Sequence, residues 1–329
     1  MGTTLKPNLY LTNLSIAHFQ EDEVYAARKV FPVVQVGLKS ANYLIFDKGD
    51  LARDDMRDKP LYGKVQPALL GQGESVYSCK EKQILVGIDA IGANNTQRMN
   101  VPGVADPRRA KTRVVAEKVN IHLDSLFAKN FFQKGIWANE LKGTADGAGE
   151  KEFVQFDNGN SNPIELIDKL KRQIQVNGRR KPNKLTLGTD VFDALKRHPI
   201  ILERIKYTGT TANPAVVTEK VLAEMFGIEE VKVLEATYNA AAPGEPVNMQ
   251  FIGDPKSALL SYAPANPQID EPSAGYIFMW DMGLGGNLYY VNNFEGEDGT
   301  HTEYIEGLIS VDMKKTGDDL AVFLTDVVA

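Results

Sequence analysis

The longest uninterrupted pattern in the 329-residue chain is helical. Asp106 stands where an N-cap is wanted, and Pro107 at the first helical position, where a missing N–H costs nothing. From there Val115, Val119, Leu123, Leu126 and Phe127 keep one face apolar, Phe131 extends it, and the pattern runs to about Lys134. At 1.5 Å per residue, about 28 residues make a rod of roughly 42 Å. Arg108, Arg109, Lys111 and Arg113 crowd its first turns, where the helix dipole favours acids. Carboxylates from elsewhere, a neighbouring copy included, are expected to hold them. Taken singly, each also reads as part of a solvated basic face.

The second strong unit runs from Pro182 to Asn239. A strand at Lys184 to Leu187 is stopped by Gly188, and Thr189 follows as an expected N-cap. Val191, Phe192 and Leu195 share a helical face. Pro199 suits a second helix start, with Ile200, Ile201, Leu202 and Ile205 as apolar surface. After a turn rich in Thr, Gly and Asn, Thr218 caps a third helix carrying Val221, Leu222, Met225 and Phe226. Gly227 is placed as its left-handed stop. Val231 to Leu234 is then a strand able to lie beside the first. Just upstream, Pro163 begins an amphipathic helix with Ile164, Ile167, Leu170 and Ile174 inward.

Around these units the signals are shorter. Residues Met1 to Val30 read as an arm, with Ile16, Phe19, Val24 and Tyr25 too sparse to form a core and needing something to pack on; a frayed terminus is the bland alternative. Ala41 to Asp47 is a strand, and Ser75 to Ile88 reads as its partner. Between them, Lys48 to Glu74 is rich in charge, Gly and Pro, and its apolar residues, chiefly Leu61, Tyr62, Leu69 and Leu70, keep no period. An insert this long is unusual inside a compact domain unless functional or disordered. Glu140 to Asn162 reads as a polar loop. Met249 to Ile252, Ala258 to Tyr262, Tyr276 to Met282 and the "NLYYV" run read as strands.

Chemistry is sparse. The four histidines, His18, His122, His198 and His301, have no metal-ligand spacing and read as packed or capping residues. The single cysteine, Cys79, forms neither an intramolecular disulfide nor a thiolate cluster. Gly283 to Gly286 lacks the Lys-Ser/Thr ending of a phosphate loop and reads as a turn, as do Asp157 to Asn162 and Glu295 to Gly299. No run approaches 18 apolar residues, and no signal peptide opens the sequence. The expectation is a chain made in the cytosol, with no membrane partner. A net charge of −6 argues against a surface that grips nucleic acid through counterion release. No enzyme, cofactor or metal is expected; a soluble enzyme or binding module of unrelated topology is the rival class.

The order "TLG…FDAL…HP" followed by "FGIEEVKVLEATYN" resembles the axial domain of tailed-bacteriophage major capsid proteins. "PQIDEPSAGYIFMWDMG" is similar to that family's return to the peripheral domain, and "K..G.DL" near the C-terminus to its closing turn. Each motif is degenerate; their order gives them weight. The resemblance implies an α+β fold of arm (1–40), extended-loop hairpin (41–90), peripheral domain (91–162) with a spine helix at 107–134, axial domain (163–265) and return segment (266–329). It implies hexamers and pentamers closing an icosahedral shell around double-stranded DNA, held without sequence-specific contacts. A separate scaffolding protein and a portal are implied partners, and a decoration protein is left open. The virion capsid, and the host cytoplasm during assembly, are the implied locations. An encapsulin-like compartment enclosing cargo proteins is the alternative on the same fold. With no coiled-coil segment ahead of the arm, no maturation cleavage is expected. The candidate contacts between copies are Arg53, Asp54, Asp55, Arg57, Asp58, Lys59, Leu61, Tyr62, Leu69 and Leu70 in the insert, with Arg108 and Arg109 on the helix.

Overall fold

One long helix lies between a five-stranded and a six-stranded sheet in the computed structural model, which describes residues 20–91, 107–208, 217–267, 271–282 and 288–329. In chain order the elements begin with α1 (Ala27–Val30), β1 (Val33–Val36), β2 (Ser40–Phe46), α2 (Lys48–Ala52), β3 (Gln72–Ser78), β4 (Lys80–Asp89) and the long α3 (Pro107–Phe131). Then come β5 (Glu140–Thr144), β6 (Glu152–Val154), α4 (Pro163–Gly178), β7 (Lys184–Leu187), α5 (Thr189–Arg197), α6 (Pro199–Thr208), α7 (Glu219–Phe226) and β8 (Glu230–Val233). The chain closes through β9 (Thr237–Asn239), β10 (Met249–Phe251), β11 (Ala258–Ser261), β12 (Gly275–Trp280), β13 (Tyr289–Glu295), β14 (Thr302–Lys315) and β15 (Ala321–Thr325).

The six-stranded sheet has the order β6-β5-β15-β11-β7-β8. Its central strands are apolar at every second position on both faces, because both faces are covered. Ala258, Leu260, Val322 and Leu324 face the core under α4 to α7, where Ile164, Ile167, Leu170 and Ile174 also sit. Leu259, Ala321 and Phe323 face the other way, into a core shared with α3. There Leu123, Phe127 and Phe131 meet Ile277, Met279, Ile309, Val311 and Met313 of β12 and β14. The helix thus packs at once on both sheets. In the second sheet β14, 14 residues long, pairs with β12, β13 and β4, and β1 lies parallel to β12.

Several expectations hold residue for residue. Thr218 Oγ1 accepts from the Val221 N–H at 3.3 Å, and Gly227 ends α7 at φ 60°. Pro163 begins α4 as expected, and Asn162, read only as loop, caps it through the Glu165 N–H. Others change. The cap of α5 is Gly188, not Thr189: the helix begins at Thr189, whose buried hydroxyl has no hydrogen-bond partner among the described residues. Leu202 is on the outer side of α6 and is 36% exposed. The long helix stops at Phe131 rather than Lys134, because Phe131 and Phe132 both turn into the core and Trp137 Nε1 donates to the Phe131 carbonyl at 2.7 Å. That bond satisfies one of the orphan carbonyls of the last turn.

The expected loop 140–162 contains β5 and β6, which extend the sheet by parallel pairing with β15 and with each other. The single strand expected at 75–88 is two strands. β3 pairs with β2, whereas β4 leaves it at Cys79 and pairs with β14. The C-terminal β15, grouped by sequence with the return segment, forms an inner strand of the six-stranded sheet. Asp106, the turn at 209–216 and the Gly283–Gly286 turn lie outside the described residues.

Candidate assembly surface

Strands β2 and β3 pair over seven residues each, from Ser40↔Ser78 to Phe46↔Gln72. At their root Tyr77 and Tyr43 pack on Phe278 of β12, the Tyr77 and Phe278 ring centroids 4.7 Å apart. At the far end the Asp47 N–H donates to the Gly71 carbonyl at 2.9 Å, and Asp50 Oδ2 accepts from the Gly71 N–H at 2.9 Å. These bonds close the ladder. Beyond α2, residues 53–71 form no helix or strand.

That segment is fixed at its base and open at its tip. Lys48 pairs with Asp319 and donates to the Asn177 carbonyl at 3.2 Å, while Arg179 Nη1 donates to the Leu51 carbonyl at 3.1 Å. Both anchors lie outside residues 53–71. Within them, Met56 is 90% exposed, Leu61 86%, Tyr62 99% and Leu69 86%, so these four apolar side chains bury almost nothing. Leu70 is 51% exposed. Tyr62 also has φ 62°, a left-handed backbone that a bulky side chain rarely adopts.

The charges follow the same division. Arg53 reaches Asp50 at 3.4 Å, and Asp54 Oδ1 accepts from the Met56 N–H at 3.2 Å. Asp55, Arg57, Asp58 and Lys59 make no salt bridge among the described residues. The structure therefore brings the ten candidates of the insert together in one segment that hardly touches its own chain.

Arg108 and Arg109 part company. Arg108 Nε donates to Glu303 Oε2 at 2.7 Å, and Asn293 Nδ2 donates to the other oxygen at 3.1 Å. The Arg108 and Asn293 hydrogen bonds hold the Glu303 carboxyl below its usual range. The acid expected for the first turn of α3 is thus supplied by the same chain. Arg109 stays exposed.

The N-terminal segment, read as needing something to pack on, finds it on its own chain, a partner the sequence did not name. Residues 20–31 lie against α3 of their own chain: Asp124 accepts from the Ala26 and Ala27 N–H groups, and Arg28 Nη2 donates to Asn120 Oδ1 at 3.0 Å. Gln20 exchanges two bonds with the Thr237 backbone. Met1 to Phe19 lie outside the described residues. An acidic residue amid the apolar pattern of α3 was the available signal.

Of the groups capable of chemistry, Cys79, His122 and His198 are held by the fold, His301 is exposed, and His18 lies outside the described residues. Cys79 is fully buried, and burial pushes its thiol up, away from a reactive thiolate. His122 contacts Lys82 Nζ through Nε2 at 2.9 Å, and His198 contacts Ser161 Oγ at 2.9 Å. Burial lowers both imidazoles. Among the described residues no group of three or more acidic, histidine or cysteine side chains is placed to hold a metal, and no helix is long and apolar enough to cross a membrane.

No family model matches the chain. A major capsid protein of Burkholderia phage BcepMu is 33% identical over 84 residues, 26% of each chain. A major capsid protein of Pseudomonas phage JBD67 is 28% identical over 147 residues, 44% of each. The matched stretches thus span less than half the length of these curated relatives. Among solved structures, a phage-related protein from Bordetella bronchiseptica RB50 superposes with TM-score 0.69 at 18% identity, over 94% of both chains. The capsid of cyanophage P-SCSP1u gives 0.52 at 12% identity, over 93% of this chain and 88% of that one. The SrpI encapsulin of Synechococcus elongatus PCC 7942 gives 0.51 at 11% identity, over 97% and 94%. The α+β fold is that of tailed-phage capsid proteins.

Proposed function

We propose that this chain, built on the fold of tailed-phage capsid proteins, is a major capsid subunit that assembles as hexamers and pentamers into an icosahedral shell around double-stranded DNA. The observation that carries the reading is the β2–β3 hairpin. A folded chain gains nothing from holding Met56, Leu61, Tyr62 and Leu69 in water on a segment anchored only at its base. A neighbouring copy that covers them supplies the missing burial, at about 25 cal/mol per Å² of apolar area. Contacts of this kind join two different surfaces and close a ring when the rotation between neighbours is right. The chain works through its interfaces and carries no catalysis. A scaffolding protein and a portal are the partners such a shell requires, and its locations are the host cytoplasm and then the virion.

An encapsulin-like compartment remains as a second reading, favoured by the SrpI likeness, whose TM-score nearly equals that of the cyanophage capsid. Electron microscopy and sedimentation of the purified chain test the first reading. Closed shells, tubes or capsomers are expected; a stable monomer at high concentration would overturn it. Particles from the native host containing nuclease-protected DNA support a capsid, and particles filled with a folded protein support the compartment.

A further inference from the structure

A ridge of positive charge crosses one face of the molecule with no acid of its own among the described residues. On α3, Lys111, Lys118, His122 and Lys129 recur at intervals of seven, four and seven residues, which is one stripe of a helix. The stripe is about 27 Å long. Its lysines are exposed, and the two acids of the helix, Glu117 and Asp124, point away, toward Gln20, Ala26 and Ala27. Strand β4 completes the ridge. Its even-numbered residues face the helix, with Ile84 and Ile88 packed near Val115, so Lys80 and Lys82 emerge on the same side. Lys82 Nζ meets His122 Nε2 at 2.9 Å.

Acids are near but turned elsewhere. Glu81, on the opposite face of β4, pairs with Lys39 at 2.9 Å; Asp312 pairs with Lys314; Glu303 is occupied by Arg108. None of the five lysines makes a salt bridge among the described residues. Like charges gathered without a counter-charge repel, and Lys82 loses proton affinity through burial and then through Lys80 and Lys129. In a chain of net charge −6 the segregation is pronounced.

We infer that this ridge is a contact surface for the phosphate backbone of double-stranded nucleic acid, read without sequence preference, and that it marks the face of the subunit turned toward the enclosed polymer. The inference rests on the shell reading for its second half only. A straight row of lysines on a rigid helix matches the regular charge of a duplex, one phosphate per 1.7 Å of axis, better than the irregular charges of an acidic polypeptide. The contact is weak, since the chain as a whole carries a net charge of −6.

The test is binding of the full unassembled chain to a 30-base-pair duplex of random sequence across a salt series. Replacing Lys80, Lys82, Lys118 and Lys129 with Gln should make the slope of log affinity against log salt shallower by about 0.9 per lysine, roughly three to four in all. The matching four Lys→Arg changes should keep the slope, and thermal unfolding of both variants checks that they fold. No duplex binding by the unaltered chain, or an unchanged slope in the Gln variant, would overturn the inference. So would polyglutamate binding in place of the duplex, which would identify an acidic polypeptide as the partner. Shell formation is scored separately: its failure would refute the shell, while the salt series still decides the ridge.

Discussion

Asp124 Oδ1 accepts the Ala27 backbone N–H at 2.9 Å, joining the middle of the long helix to the first turn of α1, 97 positions earlier. Its second oxygen takes the Ala26 N–H at 3.0 Å, and the carboxylate is 3% exposed. Burial pushes the Asp124 carboxyl up, against the pull of these two bonds. Asp124→Ala would strand two buried donors, at about 1–3 kcal/mol each. The expected result is early hydrogen exchange of residues 24–31 and a lower melting temperature, with the α4–α7 unit unaffected. Unchanged exchange in that segment would mean the contact does not hold it.

Leu123 and Leu126 both lie on the apolar stripe of α3, yet Leu123 is 1% exposed and Leu126 only partly buried. Leu123→Asp places an unpaired charge between the two sheets and should cost on the order of several kcal/mol, enough to unfold the chain. Leu126→Asp should cost much less, on the order of 1 kcal/mol. Denaturant titration of the two variants checks the ranking; equal losses would mean that the helix is rotated from the orientation described.

His198 is 2% exposed, and its Nε2 contacts a Ser161 hydroxyl whose proton already goes to the Asn158 carbonyl at 2.7 Å. Nε2 therefore carries the imidazole proton, and buried Nδ1 has no partner among the described residues. Burial lowers the affinity of His198 for a second proton, against the Ser161 bond, and His122 is shifted the same way. As pH falls through the ordinary histidine value of 6.5, the unfolded chain gains protons first, and stability is lost until the folded groups titrate too. The melting temperature should fall between pH 7.5 and 5, and fall less in a His122→Gln, His198→Gln variant. Parallel curves would refute the assignment.

What the sequence revealed was local. The inward face of α4, the Thr218 cap and the Gly227 stop depend on residues a few positions apart, and each is where periodicity and capping rules put it. What stayed hidden depends on distant pairing. The "ELKGT" run has almost no apolar signal and is a strand because Phe323 to Thr325 lie beside it. The inward positions are odd-numbered up to Cys79 and even-numbered from Lys82 to Ile88, but Lys80 to Gln83 carry no apolar residue to show where the phase turns and the chain changes sheets. Arg108 and Glu303 are 195 positions apart. The tip of the hairpin was legible for the opposite reason: apolar residues without a period, inside a charged insert, already suggested side chains lacking a partner in their own fold.

Removing the tip separates folding from assembly. Deleting Arg53 to Gln66 and bridging the ends with a short Gly-Ser turn leaves the Asp47–Gly71 bond, the Lys48–Asp319 pair and the Arg179 bond to Leu51 in place. It also leaves the Tyr77 and Phe278 stack at the hairpin root. What is lost includes Met56, Leu61 and Tyr62, each at least 86% exposed, so little core is removed. Thermal unfolding should therefore stay within about 0.5 kcal/mol of the parent, as for surface changes generally. Sedimentation velocity should show a monomer under conditions where the parent forms capsomers or shells, because the deleted side chains are those a neighbour would cover. Mixed-sign charges such as Asp54, Arg57, Asp58 and Lys59 would add register, each pair weak but repeated around a ring. Replacing only Leu61 and Tyr62 with Ser should slow assembly without abolishing it. Normal shells from the deletion would show that the tip is dispensable, and an unfolded deletion would show that it belongs to the core.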